Sequence, residues 1–169
     1  KTQKMIVVSD STVLIGLAKI EKLGLLQEIF SRVYIPEEVF KEVAAKGKDK
    51  PGCQAIKEAG YIETKPVADK TQVNLLMASL EKGEAEVLSL ANELEADLIL
   101  LDEGKARKSA VIAGFEVMGL LGLLIVAKNV GLLKEIRPCI EELKRKKFRI
   151  SDRIVAEVLR KAGEQFIGL

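Results

Sequence analysis

The sequence predicts a three-layer α/β/α domain built on a central parallel sheet. Three observations carry that expectation. Short β-rich apolar runs alternate with segments of helical periodicity. Residues 98–101 (LILL) form an unbroken apolar run, as a strand covered on both faces should. Finally, two such runs stop on an acid, MIVVS at Asp10 and LILL at Asp102. Ligands of open α/β sheets bind beyond the carboxyl ends of the strands, so both acids stand where chemistry is expected.

The 169 residues suffice for one domain with a substantial core. At 48% hydrophobic and 31% charged, the composition is globular rather than disordered. A net charge of +2 announces no general nucleic-acid binder, so any basic surface must be a local patch. Cys53 and Cys139 have neither zinc spacing nor the numbers for a disulfide framework. The chain has no histidine, which removes Ser-His-Asp and Cys-His catalysis and histidine-ligated zinc. Hydrolysis would have to lean on carboxylates, lysines or a metal. There is no signal-peptide pattern, and the apolar run at 120–127 is too short to span a bilayer. A cytoplasmic location away from membranes is therefore expected.

Residues 5–9 read as the first strand. Val13, Leu14, Leu17 and Ala18 give helical spacing over 12–20, and 25–30 is a second short helix after Gly24. Residues 33–35 are a brief strand. Pro36 then opens a helix with Val39, Phe40 and Val43 toward the core and Glu42 near its middle. The KGKDKPG stretch at 46–52 is a loop, 54–59 one or two helical turns, and 61–64 an edge strand. A helix over 71–80 is broken at Lys82 and Gly83 before a central helix carrying Val87, Leu88, Leu90, Ala91 and Leu94. After Asp102 come a helix over 105–113 ended by Gly114, a strand at 115–118, and an apolar helix over 120–130. Helices over 138–147 and 152–162 follow, the last N-capped by Ser151. The expected organisation is one domain over 1–169, with a core of about 5–131 and a helical appendage over 132–169.

Glu42 and Glu84 lie on helices near the two strand-end acids. Four converging carboxylates without histidine would repel one another and need a cation between them. Hard oxygen donors select Mg²⁺ or Mn²⁺, which can hold a scissile phosphate and activate a water. A plainer reading stands beside this one: Asp10 and Asp102 cap the helices that follow them, and Glu84 complements a helix N-terminus. Glu38 competes with Glu42, and Glu86, rotated away from Glu84 on the same helix, competes with Glu84. Glu103 reads as a solvent-facing neighbour.

VVSDSTVLIGLAKI at 7–20, VYIPEEVFKEV at 33–43, GEAEVLSLA at 83–91 and LILLDEGKAR at 98–107 together resemble a PIN domain. The likeness is to VapC-like ribonucleases and to prokaryotic PIN proteins of this length, over roughly 5–131. It implies Mg²⁺- or Mn²⁺-dependent endoribonuclease activity on RNA. It implies Asp10, Glu42, Glu84 and Asp102 as the catalytic acids, with Asp10, Glu84 and Asp102 on the metal and Ser11 and Thr12 in support. It also implies a homodimer and a toxin restrained by an antitoxin protein as partners to test. The sequence departs from the pattern at Glu84, where Asp is frequent, and at Gly119-Leu120, where related chains carry Gly-Thr.

Lys105, Arg107 and Lys108 follow the fourth acid and are candidates for contact with RNA phosphates. Alternatively they form a solvated helix face, with Arg107 paired to a site carboxylate. The KRKKFR run at 144–149 reads as a solvated helix end before it reads as an RNA surface. The competing function is a nucleic-acid-binding PIN protein with weak or lost catalysis, which the intact acids disfavour. A haloacid-dehalogenase-type phosphatase would need a second Asp where Thr12 stands. A dinucleotide-binding fold would need a glycine-rich turn in place of SDST at 9–12.

Overall fold

Apolar β-branched and leucine residues at 7–8 and 98–100 give two strands buried on both faces, and these form the middle of the sheet. The computed structural model describes residues 4–46, 51–102 and 104–165. The chain divides into two compact units, Lys1–Gly119 and Leu120–Leu169.

The first unit runs β1 (Val7–Ser9), α1 (Ser11–Lys19), α2 (Leu25–Phe30), β2 (Val33–Pro36), α3 (Glu37–Lys46) and α4 (Pro51–Glu58). It continues with β3 (Ile62–Lys65), α5 (Lys70–Leu76), α6 (Lys82–Leu94), β4 (Leu98–Leu100), α7 (Lys105–Ile112) and β5 (Val117–Met118). Among the described residues the five strands are all parallel, in the order β3-β2-β1-β4-β5, within a three-layer α/β/α arrangement. Val8 lies opposite both Tyr34 and Ile99, and Ser9 opposite Leu100. The chain first builds outward from β1 to β3, then returns through α5 and α6 to lay β4 on the other side of β1. Strand order therefore reverses between β1 and β4, the kind of crevice where such sheets bind ligands. The Asp10 N–H donates to the Leu100 carbonyl at 2.9 Å, extending that ladder one residue past β1.

Several local expectations need correction. Phe40 is 37% exposed, and it is Val39 and Val43 that α3 buries. Residues 47–50 of the expected loop lie outside the described residues, but Gly52 is helical, in α4. A Cβ at Gly52 would come within 3.0 Å of the Ala18 Cβ, so glycine there lets α4 approach α1 closely. Lys82 and Gly83 do not break a helix. They open α6 behind the N-cap Glu81, and α5 has already stopped at Leu76.

The second unit holds α8 (Leu120–Asn129), α9 (Arg137–Arg145) and α10 (Asp152–Lys161). Ser151 caps α10 as the sequence suggests, accepting the Ile154 N–H at 3.3 Å. The N-cap of α9 is Ile136, which offers no side-chain acceptor. Glu164 supplies one from beyond α10, accepting the N–H of Ile136 at 2.8 Å and of Arg137 at 3.1 Å. Lys128 of α8 donates to Glu164 at 3.0 Å and to the Ala162 carbonyl, at the end of α10, at 2.6 Å. One ion pair thus ties all three helices of this unit together. Burial pushes the Glu164 carboxyl up, but the Ile136 N–H, the Lys128 ammonium and the Arg137 N–H outweigh it and hold it below its ordinary value. Among the described residues no helix is long and apolar enough to cross a membrane.

Candidate active site

Asp10 stands immediately past β1 and is the N-cap of α1, its Oδ1 accepting the Val13 N–H at 2.9 Å. The plainer reading of this acid is therefore realised, though it accounts for one oxygen only. Oδ2 accepts the Asp102 N–H at 3.1 Å and ties the ends of β1 and β4 together. Asp10 is only 9% exposed. Its carboxyl is raised from 3.8 to about 7, chiefly by burial. The two backbone N–H groups pull it down, and the charges of Asp102 and Glu42 push it further up.

Glu42 comes from α3. Ser11, buried at the start of α1, donates its hydroxyl to Glu42 Oε2 at 3.3 Å. The same carboxylate lies against the first turn of α6, where a Cβ on Gly83 would fall 1.8 Å from Oε1. Glu84 is the third residue of α6, and its Oε1 accepts the Glu81 N–H at 3.1 Å. Glu81 returns the bond by accepting the Glu84 N–H, so the two form a capping box. Asp102 follows β4 and is half-buried. It does not cap α7, whose N-cap is Gly104. Gly119 packs beside it: a Cβ there would lie 3.4 Å from Asp102 Oδ1 and 3.2 Å from Arg107 Nη1.

Asp10, Ser11, Thr12, Glu42, Glu84 and Asp102 line one cavity of about 160 Å³, with Val39, Gly83 and Glu81. None of these lining residues is cationic. Glu38 faces elsewhere, 3.8 Å from the Lys82 ammonium, and Glu86 turns its carboxylate to the start of α3. Glu103 lies outside the described residues. Lys105, Arg107 and Lys108 sit on the first turn of α7 and are not in the cavity lining. Lys105 and Lys108 are exposed, and Arg107 donates to the Leu101 carbonyl at 3.4 Å. In the 144–149 run, Lys144 pairs with Asp152 at 2.8 Å and Arg145 with Glu142. Glu81 is the cavity acid that sequence reasoning misses. Its signal is the E-x-x-E spacing from Glu81 to Glu84, obscured because a capping box normally starts on Ser or Thr.

The donor set is all oxygen, which suits a hard divalent cation, and the raised Asp10 carboxyl marks a place where positive charge would be relieving. Among the described residues no three acidic or cysteine side chains already converge as metal ligands.

A family model described as a PIN domain matches residues 6–164. No curated protein matches the chain.

Proposed function

The chain belongs to the PIN-domain family, and from that premise we propose that it is a metal-dependent endoribonuclease acting through Asp10, Glu42, Glu84 and Asp102. PIN domains are generally nucleases that act on nucleic acids and depend on divalent metal. The observation that carries the reading is the acid-lined cavity at the strand-order reversal, with a buried Asp10 whose carboxyl is raised to about 7.

Asp10, Glu84 and Asp102 would hold Mg²⁺ or Mn²⁺. When bound, the ion would favour attack by water at neutral pH and would offset charge on the phosphate. The chain's own residues do the rest. Val13 and Asp102 fix Asp10 through both oxygens, so this ligand is oriented before anything binds. Ser11 holds Glu42, which in this reading would take a proton from the attacking water. Lys105, Arg107 and Lys108 lead away along α7 and receive flanking phosphates of the RNA. The likeness to VapC-like chains adds restraint by an antitoxin to this reading.

The test is cleavage of single-stranded and structured RNA with Mg²⁺, with Mn²⁺ and with chelator, for the wild type and Asp10→Asn. The expected result is metal-dependent cleavage by the wild type alone. RNA binding should survive in the variant and weaken with added salt. Equal cleavage by both proteins would reject the assignment. Binding without cleavage across metals and substrates would establish the binding-module reading instead. The antitoxin role fails if the neighbouring open reading frame yields no small protein that suppresses cleavage on co-expression.

A further inference from the structure

Helix α3 starts on Glu37 directly after Pro36, and proline offers no side-chain oxygen to cap the helix's free N–H groups. The missing acceptor comes from α6. Glu86, only 7% exposed, accepts the Glu38 N–H at 3.1 Å. Glu42 sits one turn after Glu38 on α3, so a fixed first turn fixes its phase around the helix. Three residues before Glu86, on the same face of α6, is Gly83. A Cβ at Gly83 would lie 1.8 Å from Glu42 Oε1 and 2.9 Å from its carboxyl carbon. Real contacts do not reach such distances, so a side chain there would push the flexible end of Glu42, its carboxylate, aside. Lys82, next to Gly83, adds a weaker tie to Glu38 at 3.8 Å.

We propose that Gly83 and Glu86 are positioning residues for Glu42. Gly83 leaves the space its carboxylate occupies, and Glu86 caps the helix that carries it. The inference rests on the reading of Glu42 as a site acid. It accounts for a buried glutamate outside the cavity, since Glu86 serves as a backbone acceptor and does not itself ligate metal.

The test is a double-mutant cycle read by RNA cleavage rate and Mn²⁺ affinity. Gly83→Ala and Glu86→Ala should each lower cleavage roughly 100-fold, the loss that goes with displacing a catalytic group by about 1 Å. Gly83→Ala should leave the melting temperature unchanged or raise it, because alanine is the better helix former. Glu86→Gln keeps an acceptor for the Glu38 N–H and should stay within about threefold of wild type. In a Glu42→Ala background, Gly83→Ala and Glu86→Ala should lower cleavage no further. Losses that add in that background would overturn the proposal. So would Glu86→Gln losing as much Mn²⁺ affinity as Glu86→Ala, which would make Glu86 a ligand.

If the wild type cleaves nothing, the nuclease reading fails, but two structural measurements still decide the positioning claim. Amide exchange in the first turn of α3 should quicken in Glu86→Ala and not in Glu86→Gln. The Glu42 carboxylate should be displaced in a crystal structure of Gly83→Ala. Unchanged exchange or an unmoved carboxylate overturns the corresponding half.

Discussion

Asp10 and Glu164 make the same kind of bonds to the backbone. Asp10 is buried, whereas Glu164 is half-buried as a residue although little of its side chain reaches solvent. Each accepts two backbone N–H groups, from Val13 and Asp102 in one case and from Ile136 and Arg137 in the other. Their carboxyls nevertheless move in opposite directions, Asp10 up to about 7 and Glu164 below its ordinary 4.5. Burial weighs far more heavily on Asp10, and the neighbours differ as well. Glu164 has the Lys128 ammonium at 3.0 Å, whereas Asp10 faces Asp102 and Glu42. Backbone donors alone do not neutralise a buried carboxylate. The one serving structure brings its cation within the chain, and the one serving the cavity is left to a proton or an ion from solution.

Four experiments would break or sharpen this contrast. The largest effect is on activity. Asp10→Asn should lower RNA cleavage by roughly 1000-fold or more, while Glu164→Gln, though destabilising, should leave the rate per folded molecule near wild type. Comparable losses in both would erase the functional distinction. Next comes Lys128→Met, which leaves the half-buried Glu164 without its cation and should destabilise the chain by about 1–2 kcal/mol in urea denaturation. A change under about half a kcal/mol would show that the N–H groups suffice after all.

The third concerns stability against pH. The folded carboxyl of Asp10 is raised from 3.8 to about 7, so its contribution is fully present below pH 3.8 and is lost as pH rises through about 7. For Glu164 the sign is reversed: its contribution is present above its ordinary 4.5 and is lost as pH falls through its depressed folded value. In metal-free buffer at pH 8, Asp10→Asn should therefore stabilise the chain by about 1–3 kcal/mol, part of the gain being lost because one amide face of Asn cannot accept an N–H. The gain should shrink toward pH 5, and a gap independent of pH would contradict it. The smallest effect is on metal affinity. A proton on Asp10 competes with the ion, so Mn²⁺ affinity should fall by up to about tenfold per pH unit below about 7 and level off above it. Flat affinity from pH 5 to 8 in calorimetry would take Asp10 off the metal.

Much of the fold is legible because its signals are local. The unbroken apolar runs at β1 and β4, each ending on an acid, point to the parallel sheet and place Asp10 and Asp102 together. Glu42 and Glu84 need the family likeness, since spacing alone does not separate them from Glu38 and Glu86. What stays hidden is non-local. Glu86 caps a helix 48 positions earlier and Glu164 one that begins 27 positions earlier, and no capping pattern in a single segment reports such a bond. Periodicity puts Phe40 in the core, but Val39 and Val43 already fill the buried stripe of α3. Lys82-Gly83 reads as a break because glycine is a poor helix former. Its place is fixed by Glu42, which approaches from another helix.

The position of β1 between β2 and β4 also sets an order of assembly in time. Its partner at Tyr34 is made early, whereas its partner at Ile99 is made much later. Until β4 emerges during synthesis, β1 can only be an outer strand, and closing the long intervening segment is entropically opposed. Asp10 is translated well before its partners across the cavity. It gains its second backbone donor only when Asp102, 92 positions on, has been added, so a nascent chain carries the first acid long before it can carry the finished cavity.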